Sequence, residues 1–147
     1  MLIFRNLTPE TEQQINWRQQ EITALLPDPG YAAAVIAAGG TVFVILDGEN
    51  VIGAVSLSAE TTATRPVCGI VEQLAVLPQF RRQHLGRMLM GLAANAAADR
   101  SVWFLTGSIP ETEEARAFAA SVGMKQTEWL PDMPVLDLSD VDGLRYG

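Results

Sequence analysis

The sequence predicts an α/β (α+β) domain in which helices pack on a mixed β-sheet. β-branched runs alternate with helical patterns along the chain, two of these runs flank an Asp-Gly pair, and one long segment has helical periodicity. The 147 residues, 48% of them hydrophobic, are enough for one domain with a core. We therefore expect a single domain over residues 1–147, with about seven strands and four helices.

The first half of the chain predicts strands around a hairpin. Residues 2–7 form the first expected strand, and helices are expected over 9–25 and over 31–38, where Gly39-Gly40 ends the second helix. The runs 41–46 and 51–57 flank Asp47-Gly48-Glu49-Asn50, and the Asp-Gly pair favours a tight turn between two antiparallel strands.

The second half predicts a long strand over 67–77 and an amphipathic helix over 85–98. The apolar positions of that helix follow helical spacing: Leu85, Met88, Leu89, Leu92, Ala93 and Ala96. A short strand is expected over 102–105, and Ser108-Ile109-Pro110-Glu111 is a possible capping box for a helix that ends at Gly123. Residues 125–130 and 133–138 are expected to close the sheet as a strand pair.

Composition excludes several classes of function. Seventeen acidic and ten basic residues give a formal charge of −7, so we expect no nucleic-acid partner and no anionic membrane partner; a cationic or amine partner fits better. One cysteine (Cys68) and one histidine (His84) do not suffice for a disulfide or a Cys/His zinc site, so no metal is expected. The N-terminus lacks a signal-peptide pattern, and we expect a cytoplasmic protein.

One segment carries a local excess of positive charge. Residues 73–98 contain no Asp or Glu but include Arg81, Arg82 and Arg87. A strand that ends at Pro78, an arginine-containing loop and a helix N-terminus bring unpaired N–H groups, the helix dipole and guanidinium groups together, an arrangement that binds phosphate. The other interpretation is a solvated arginine loop that balances acidic neighbours.

The residues of this segment resemble the coenzyme A-binding motif of the GNAT N-acetyltransferases. Gln83-His84-Leu85-Gly86-Arg87-Met88 is similar to the pattern (Q/R)-x-x-G-x-(G/A), with His84 at a free position that is often Gly. Met88 stands where the family has Gly or Ala, and we expect it to pack into the core. Residues 115–124 partly resemble the family's late helix, A-x-x-(F/L)-Y-x-x-x-G-F. The resemblance implies the GNAT acyl-CoA N-acyltransferase fold and acetyl-CoA as co-substrate.

The resemblance also implies a set of cofactor contacts. Backbone groups of Leu74, Ala75 and Val76 would pair with the pantetheine arm as an added strand. The pyrophosphate would lie against the backbone N–H groups of the loop and helix start, with Gly86 allowing close approach and Arg81, Arg82 and Arg87 adding ionic contacts. The residues of this cradle are Arg82, Gln83, His84, Leu85, Gly86 and Arg87. Thr112 stands where the family often has a cofactor-contacting asparagine.

For catalysis, Glu72 is the acid on the expected cofactor-binding strand. It is a candidate general base acting through a water, the other interpretation being an ordinary strand carboxylate. The family's usual tyrosine general acid corresponds to Ala119; the only tyrosines are Tyr31 and Tyr146. Cys68 lacks a partner base, which favours a structural role over a nucleophilic one.

Three functional hypotheses follow. The first is an acetyl-CoA-dependent N-acetyltransferase acting on a primary amine of a small molecule, peptide or protein, by direct attack in a ternary complex. The second is a catalytically weak or inactive GNAT-fold regulator that binds acyl-CoA, which Ala119 and Thr112 favour. The third is a binding module without a cofactor. A homodimer is possible through the apolar segment 133–138.

Overall fold

The computed structural model describes residues 2–8, 31–48, 50–80, 84–107 and 112–140. These residues build one six-stranded sheet with its strands in chain order. Neighbouring strands are antiparallel except β4 and β5, which are parallel, so the predicted mixed sheet is confirmed. The strands are β1 Leu2–Asn6, β2 Thr41–Asp47, β3 Asn50–Thr61, β4 Gly69–Val76, β5 Phe104–Thr106 and β6 Val135–Asp137.

Three α-helices accompany the sheet within the described ranges: α1 Tyr31–Ala37, α2 Leu85–Asp99 and α3 Glu113–Ser121. Short 3₁₀ turns cover Pro78–Phe80 and Leu138–Asp140. The helix predicted over 9–25 and the capping box at 108–111 lie outside the described residues. Helix α3 begins one residue after Thr112, whose hydroxyl accepts the Ala115 N–H at 3.1 Å, so Thr112 is the cap.

The predicted hairpin between β2 and β3 is confirmed. Asp47 pairs with Asn50, and Gly48 lies between them with φ +65°, a conformation that glycine adopts without steric cost. Both strands are apolar over most of their length because they lie in the middle of the sheet, and Val44, Ile45 and Val51 are fully buried.

Helix α2 is the main helical contribution to the core. Its buried side chains are Leu85, Leu89, Met90, Gly91, Ala93, Ala94 and Ala97. The expectation that Met88 packs into the core is wrong, because 41% of its surface is exposed. The buried stripe runs along Leu85, Leu89 and Ala93 and widens toward Met90, on the flank of the helix away from Met88.

The predicted strand over 125–130 is also wrong. Lys125 forms a single antiparallel bridge with Val135, through two hydrogen bonds of 2.8 Å, and regular pairing stops there. Local bonds replace the ladder: the Thr127 hydroxyl accepts the Leu130 N–H at 3.1 Å. The ring of Trp129 packs edge-on against Phe104, with centroids 5.5 Å apart.

Arg100, directly after α2, connects three segments of the chain. Its guanidinium donates hydrogen bonds to Ser58 O at 3.0 Å, Gly39 O at 3.2 Å and Thr41 Oγ1 at 2.7 Å. The planar array of donors on arginine allows one side chain to hold the end of α2 against both β2 and β3.

No helix in the described part of the chain is long and apolar enough to cross a membrane.

Candidate active site

The candidate site begins where β4 and β5 separate. Strand β3 pairs with β4 from Gly69 to Val76, whereas β5 pairs with β4 only through Gly69 with Leu105 and Ile70 with Thr106. Beyond Ile70 the two parallel strands diverge. The edge of β4 that faces β5 is therefore open to an extended ligand over its second half.

Gly107 stands at the point of divergence. A Cβ atom at this position would lie 2.6 Å from the carbonyl oxygen of Val71, closer than a real Cβ approaches a backbone atom. Only glycine lets the end of β5 run this close to β4 before the strands part. The floor of the cleft is therefore formed by backbone in contact with backbone.

Strand β4 has a bulge at the same level. Ser56 pairs with Gln73 and the next residue of β3, Leu57, pairs with Val71, which leaves Glu72 as the extra residue. A bulge bends its strand and redirects side chains and backbone groups. Here the bulge shifts the alternation of β4 side chains between the two faces of the sheet, at the level where β5 separates from β4. Glu72 is exposed beside the cleft.

The start of α2 lies at the wall of the cleft. His84 is the N-cap, with φ +62° and ψ +18°, and its exposed side chain makes no capping hydrogen bond. The first turn of α2 contains no acidic residue, so the positive end of the helix dipole and its free N–H groups are not neutralised from within the helix. A phosphate group fits this chemistry.

The separated strands, the start of α2 and helix α3 enclose one cavity of about 870 Å³. All of the sequence-predicted site residues in the described ranges line it: Glu72, Leu74, Ala75, Val76, His84, Leu85, Gly86, Arg87 and Thr112. The others, Arg81, Arg82 and Gln83, lie outside the described residues. The structure thus brings together residues that the chain separates by up to forty positions, from Glu72 to Thr112.

Comparison with known proteins identifies the family. Residues 6–124 match the model of the acetyltransferase (GNAT) family. The chain belongs to the GNAT acetyltransferase family. No match to the chain was found among curated protein sequences.

Solved structures share the fold at low sequence identity. A mutant AtaT toxin bound to acetyl-CoA and to the C-terminus of the antitoxin AtaR has a TM-score of 0.71 and 14% identity, covering 100% of this chain and 99% of that chain. A GNAT acetyltransferase from Staphylococcus aureus has a TM-score of 0.66 and 9% identity, covering 94% and 99%. The KacTA–DNA complex gives 0.67 and 14%, covering 98% of both chains. These likenesses confirm the predicted GNAT fold.

Several side chains of this GNAT cleft also have structural roles. Arg87 donates a hydrogen bond to Ser121 O at 3.0 Å, which ties the start of α2 to the end of α3. Thr112 accepts from Ala115, and its hydroxyl proton remains available to a ligand in the cavity.

The position of the family's usual tyrosine is occupied by Ala119, which is 4% exposed and packs in the core. Its neighbour Phe118 lines the cavity instead and lies over Gly86, where a Cβ would meet the ring at 3.0 Å. Tyr146 and the side chain of Tyr31 lie outside what the structure describes. Within the described residues, helix α3 presents no phenol to the cleft.

Cys68 does not lie among the cavity-lining residues. It is fully buried, and burial raises the pKa of its thiol, an effect that hydrogen bonds with Thr62 and Thr64 partly oppose. A buried, protonated thiol is a poor nucleophile, which agrees with the structural role expected from the sequence. The described residues contain no group of three or more His, Cys, Asp or Glu side chains able to hold a metal ion.

Sequence reasoning missed Gln73 and Gly107, which also line the cavity. The sequence does not reveal Gln73, because its position opposite Ser56 depends on the register between β3 and β4. The sequence of a single strand does not specify that register. The available signal was an amide directly before the apolar run 74–77. For Gly107 the sequence holds no comparable signal, because its close approach to Val71 exists only in the folded chain.

Proposed function

We propose that this protein is an acetyl-CoA-dependent N-acetyltransferase that acetylates a primary amine of a small molecule, peptide or protein by direct attack in a ternary complex. One observation carries the proposal: three features border the same cavity. They are the gap where β4 and β5 diverge, the bulge at Glu72, and the N-terminus of α2, whose first turn has no acidic residue. Membership of the GNAT family and the acetyl-CoA bound to a structural relative support it.

The described residues fit acetyl-CoA at both ends. The open edge of β4 at Leu74 offers backbone hydrogen bonds to an extended arm that carries amides, as an added strand would receive them; the backbone of Ala75 is turned toward β3. The N-terminal turn of α2 offers N–H groups to the pyrophosphate, and Gly86 keeps that turn free of a side chain. When bound, acetyl-CoA supplies a thioester whose carbonyl carbon accepts the amine and whose sulfur leaves as a thiolate.

The chain's own residues then have two tasks. Glu72, exposed at the bulge, receives the proton of the attacking amine through a water. A backbone N–H close to Leu74, redirected by the bulge, stabilises charge on the thioester oxygen. A thiol with a pKa near 8.5 leaves as the thiolate without full protonation, so Ala119 does not prevent turnover.

The test is isothermal titration of the purified protein with acetyl-CoA, followed by a panel of amines. Saturable binding with heat of turnover for one class of amine is the expected result. Gly86→Glu brings a side chain against the Phe118 ring and a carboxylate beside the start of α2, and is expected to abolish binding. Met88→Glu is the matched control, because Met88 is an exposed residue of the same helix that does not line the cavity.

Glu72→Gln tests the catalytic assignment. Turnover should fall while acetyl-CoA binding stays unchanged, because the amide keeps the size of the side chain and loses the base. Glu60→Gln, an exposed residue at the far end of β3, should change neither property. Full turnover by Glu72→Gln would show that another group receives the proton.

The second candidate is a GNAT-fold regulator that binds acyl-CoA without efficient transfer. The buried Ala119 favours it, because helix α3 offers no general acid to the cleft. Saturable binding of acetyl-CoA without acetylation of any amine in the panel would favour this function over the first. Absence of binding would exclude both and leave the third hypothesis, a module without a cofactor.

A further inference from the structure

Two buried oxygen atoms of the sheet have no hydrogen-bond partner in the part of the chain that the structure describes: Ser56 Oγ and Gln73 Oε1. Ser56 is 4% exposed. An unpartnered polar atom in a protein interior is unfavourable, because its hydrogen bonds to water are lost and none replaces them. Such atoms are rare in folded proteins, and each one calls for an explanation.

The two oxygens belong to neighbouring residues. Ser56 pairs directly with Gln73 across β3 and β4, so both side chains leave the same face of the sheet. The next residue of β4 toward its start is the bulged Glu72, and Gln73 itself lines the cavity. The unsatisfied pair therefore lies beside the point at which we place the chemistry.

The pair faces away from α2. A Cβ at Gly53 would meet Leu89 of α2 at 3.4 Å, so Gly53 points toward that helix. Strand alternation puts Ser56, three residues later, on the opposite face, and Gln73 with it. A thioester that enters between the separated strands comes from the α2 face of the sheet. An acceptor amine on the opposite face meets the thioester beside Gln73.

We propose that, when the acceptor amine binds, Gln73 turns its side-chain amide toward the amine and the Ser56 hydroxyl, unpartnered in this structure, donates a hydrogen bond that positions this amide; this inference rests on the function proposed above. A side-chain amide oxygen accepts an N–H hydrogen bond from the amine and leaves the nitrogen lone pair free to attack. Ala54 and Ala75, the next pair on the same face of the sheet as Ser56 and Gln73, are buried. The Gln73 amide is an uncharged hydrogen-bond acceptor in apolar surroundings. Such a site disfavours an ammonium ion and selects the neutral amine, which is the nucleophilic form.

Ser56→Ala and Gln73→Leu test the proposal. The matched controls are Ser58→Ala in the same strand, whose hydroxyl already accepts the Glu60 N–H, and Gln126→Leu, whose exposed amide donates to Pro131. The probes are acetyl-CoA together with spermidine, kanamycin and trialanine as a polyamine, an aminoglycoside and a peptide amino terminus. The measurements are the thermal midpoint, the Kd of acetyl-CoA and the KM and kcat with the amine that reacts.

The expected result separates stability from function. Neither variant should lower the thermal midpoint, because each removes an unpartnered polar atom. The Kd of acetyl-CoA should change by less than about threefold. The KM for the amine should rise about tenfold in Gln73→Leu and about threefold in Ser56→Ala, with kcat falling less, as expected for loss of a ground-state hydrogen bond. The controls should keep the wild-type KM.

Other results overturn the inference. An unchanged amine KM in both variants would make the pair a structural feature and leave the proposed function intact. A lowered midpoint in Ser56→Ala would show that the oxygen is partnered in solution. A wild-type protein that binds acetyl-CoA and acetylates none of the three probes also overturns it, and a wild-type protein that does not bind acetyl-CoA overturns the proposed function as well.

Discussion

Replacing His84 with glycine is expected to stabilise the protein. His84 has φ +62° and ψ +18°, the left-handed conformation, and its imidazole makes no capping hydrogen bond. For a residue with a Cβ this conformation costs about 1–2 kcal/mol relative to the right-handed one. Glycine avoids that cost but loses about 0.5–1 kcal/mol through its greater freedom in the unfolded chain. The midpoints of the two ranges give a net gain of about 0.75 kcal/mol for His84→Gly.

The measurement is urea unfolding of the wild type, His84→Gly and His84→Ala, with the slopes compared to confirm equal exposure on unfolding. His84→Ala is the control because it removes the imidazole and keeps the Cβ. The gain corresponds to an increase of about 1–4 °C in Tm for a chain of this size. Equal stability of the glycine and alanine variants would refute the prediction, because it would mean that backbone strain at position 84 does not exceed the entropic loss of glycine.

The remaining predictions concern the cleft floor, the end of α2 and the buried thiol. Gly107→Ala forces a Cβ to 2.6 Å from Val71 O, so urea unfolding should show a loss of about 1–3 kcal/mol and titration a weaker acetyl-CoA affinity; an unchanged midpoint would contradict the close approach. Arg100→Ala should cost about 1 kcal/mol by urea unfolding, since its three hydrogen bonds are exposed, and Arg100→Lys should recover only part of it. Burial raises the pKa of the Cys68 thiol in the folded state. The contribution of the protonated thiol to the free energy of unfolding is therefore complete below the unfolded pKa and is lost as pH rises through the folded pKa. The difference in free energy of unfolding between the wild type and Cys68→Ala should therefore decline in alkaline solution. A difference that does not change with pH would exclude this effect.

The elements set by short-range chemistry could be predicted from the sequence. The Asp47-Gly48 pair specifies the hairpin because the turn needs a residue with positive φ, and the apolar periodicity specifies α2 because it reflects burial on one side. The site residues implied by the resemblance to the GNAT motif line one cavity wherever the structure describes them, and their roles stay predictions.

Features that depend on register could not be predicted. The bulge at Glu72 and the pairing of Ser56 with Gln73 arise from how β3 and β4 align, and neither strand alone contains that information. The strand expected over 125–130 failed for a related reason, because after Lys125 local side-chain bonds such as that of Thr127 compete successfully with the ladder.

Three unfavourable features of the described structure belong to the cleft and its surroundings. His84 adopts a left-handed conformation at the helix start, Gly107 allows a backbone approach that no other residue permits, and Ser56 with Gln73 leaves buried oxygens unpartnered. Elsewhere the described core consists mainly of well-buried apolar side chains. Unsatisfied groups and strained backbone persist at sites where a ligand supplies the missing interactions. The unpartnered oxygens therefore support the proposal that an amine binds beside Gln73, and their removal should lower activity without lowering stability.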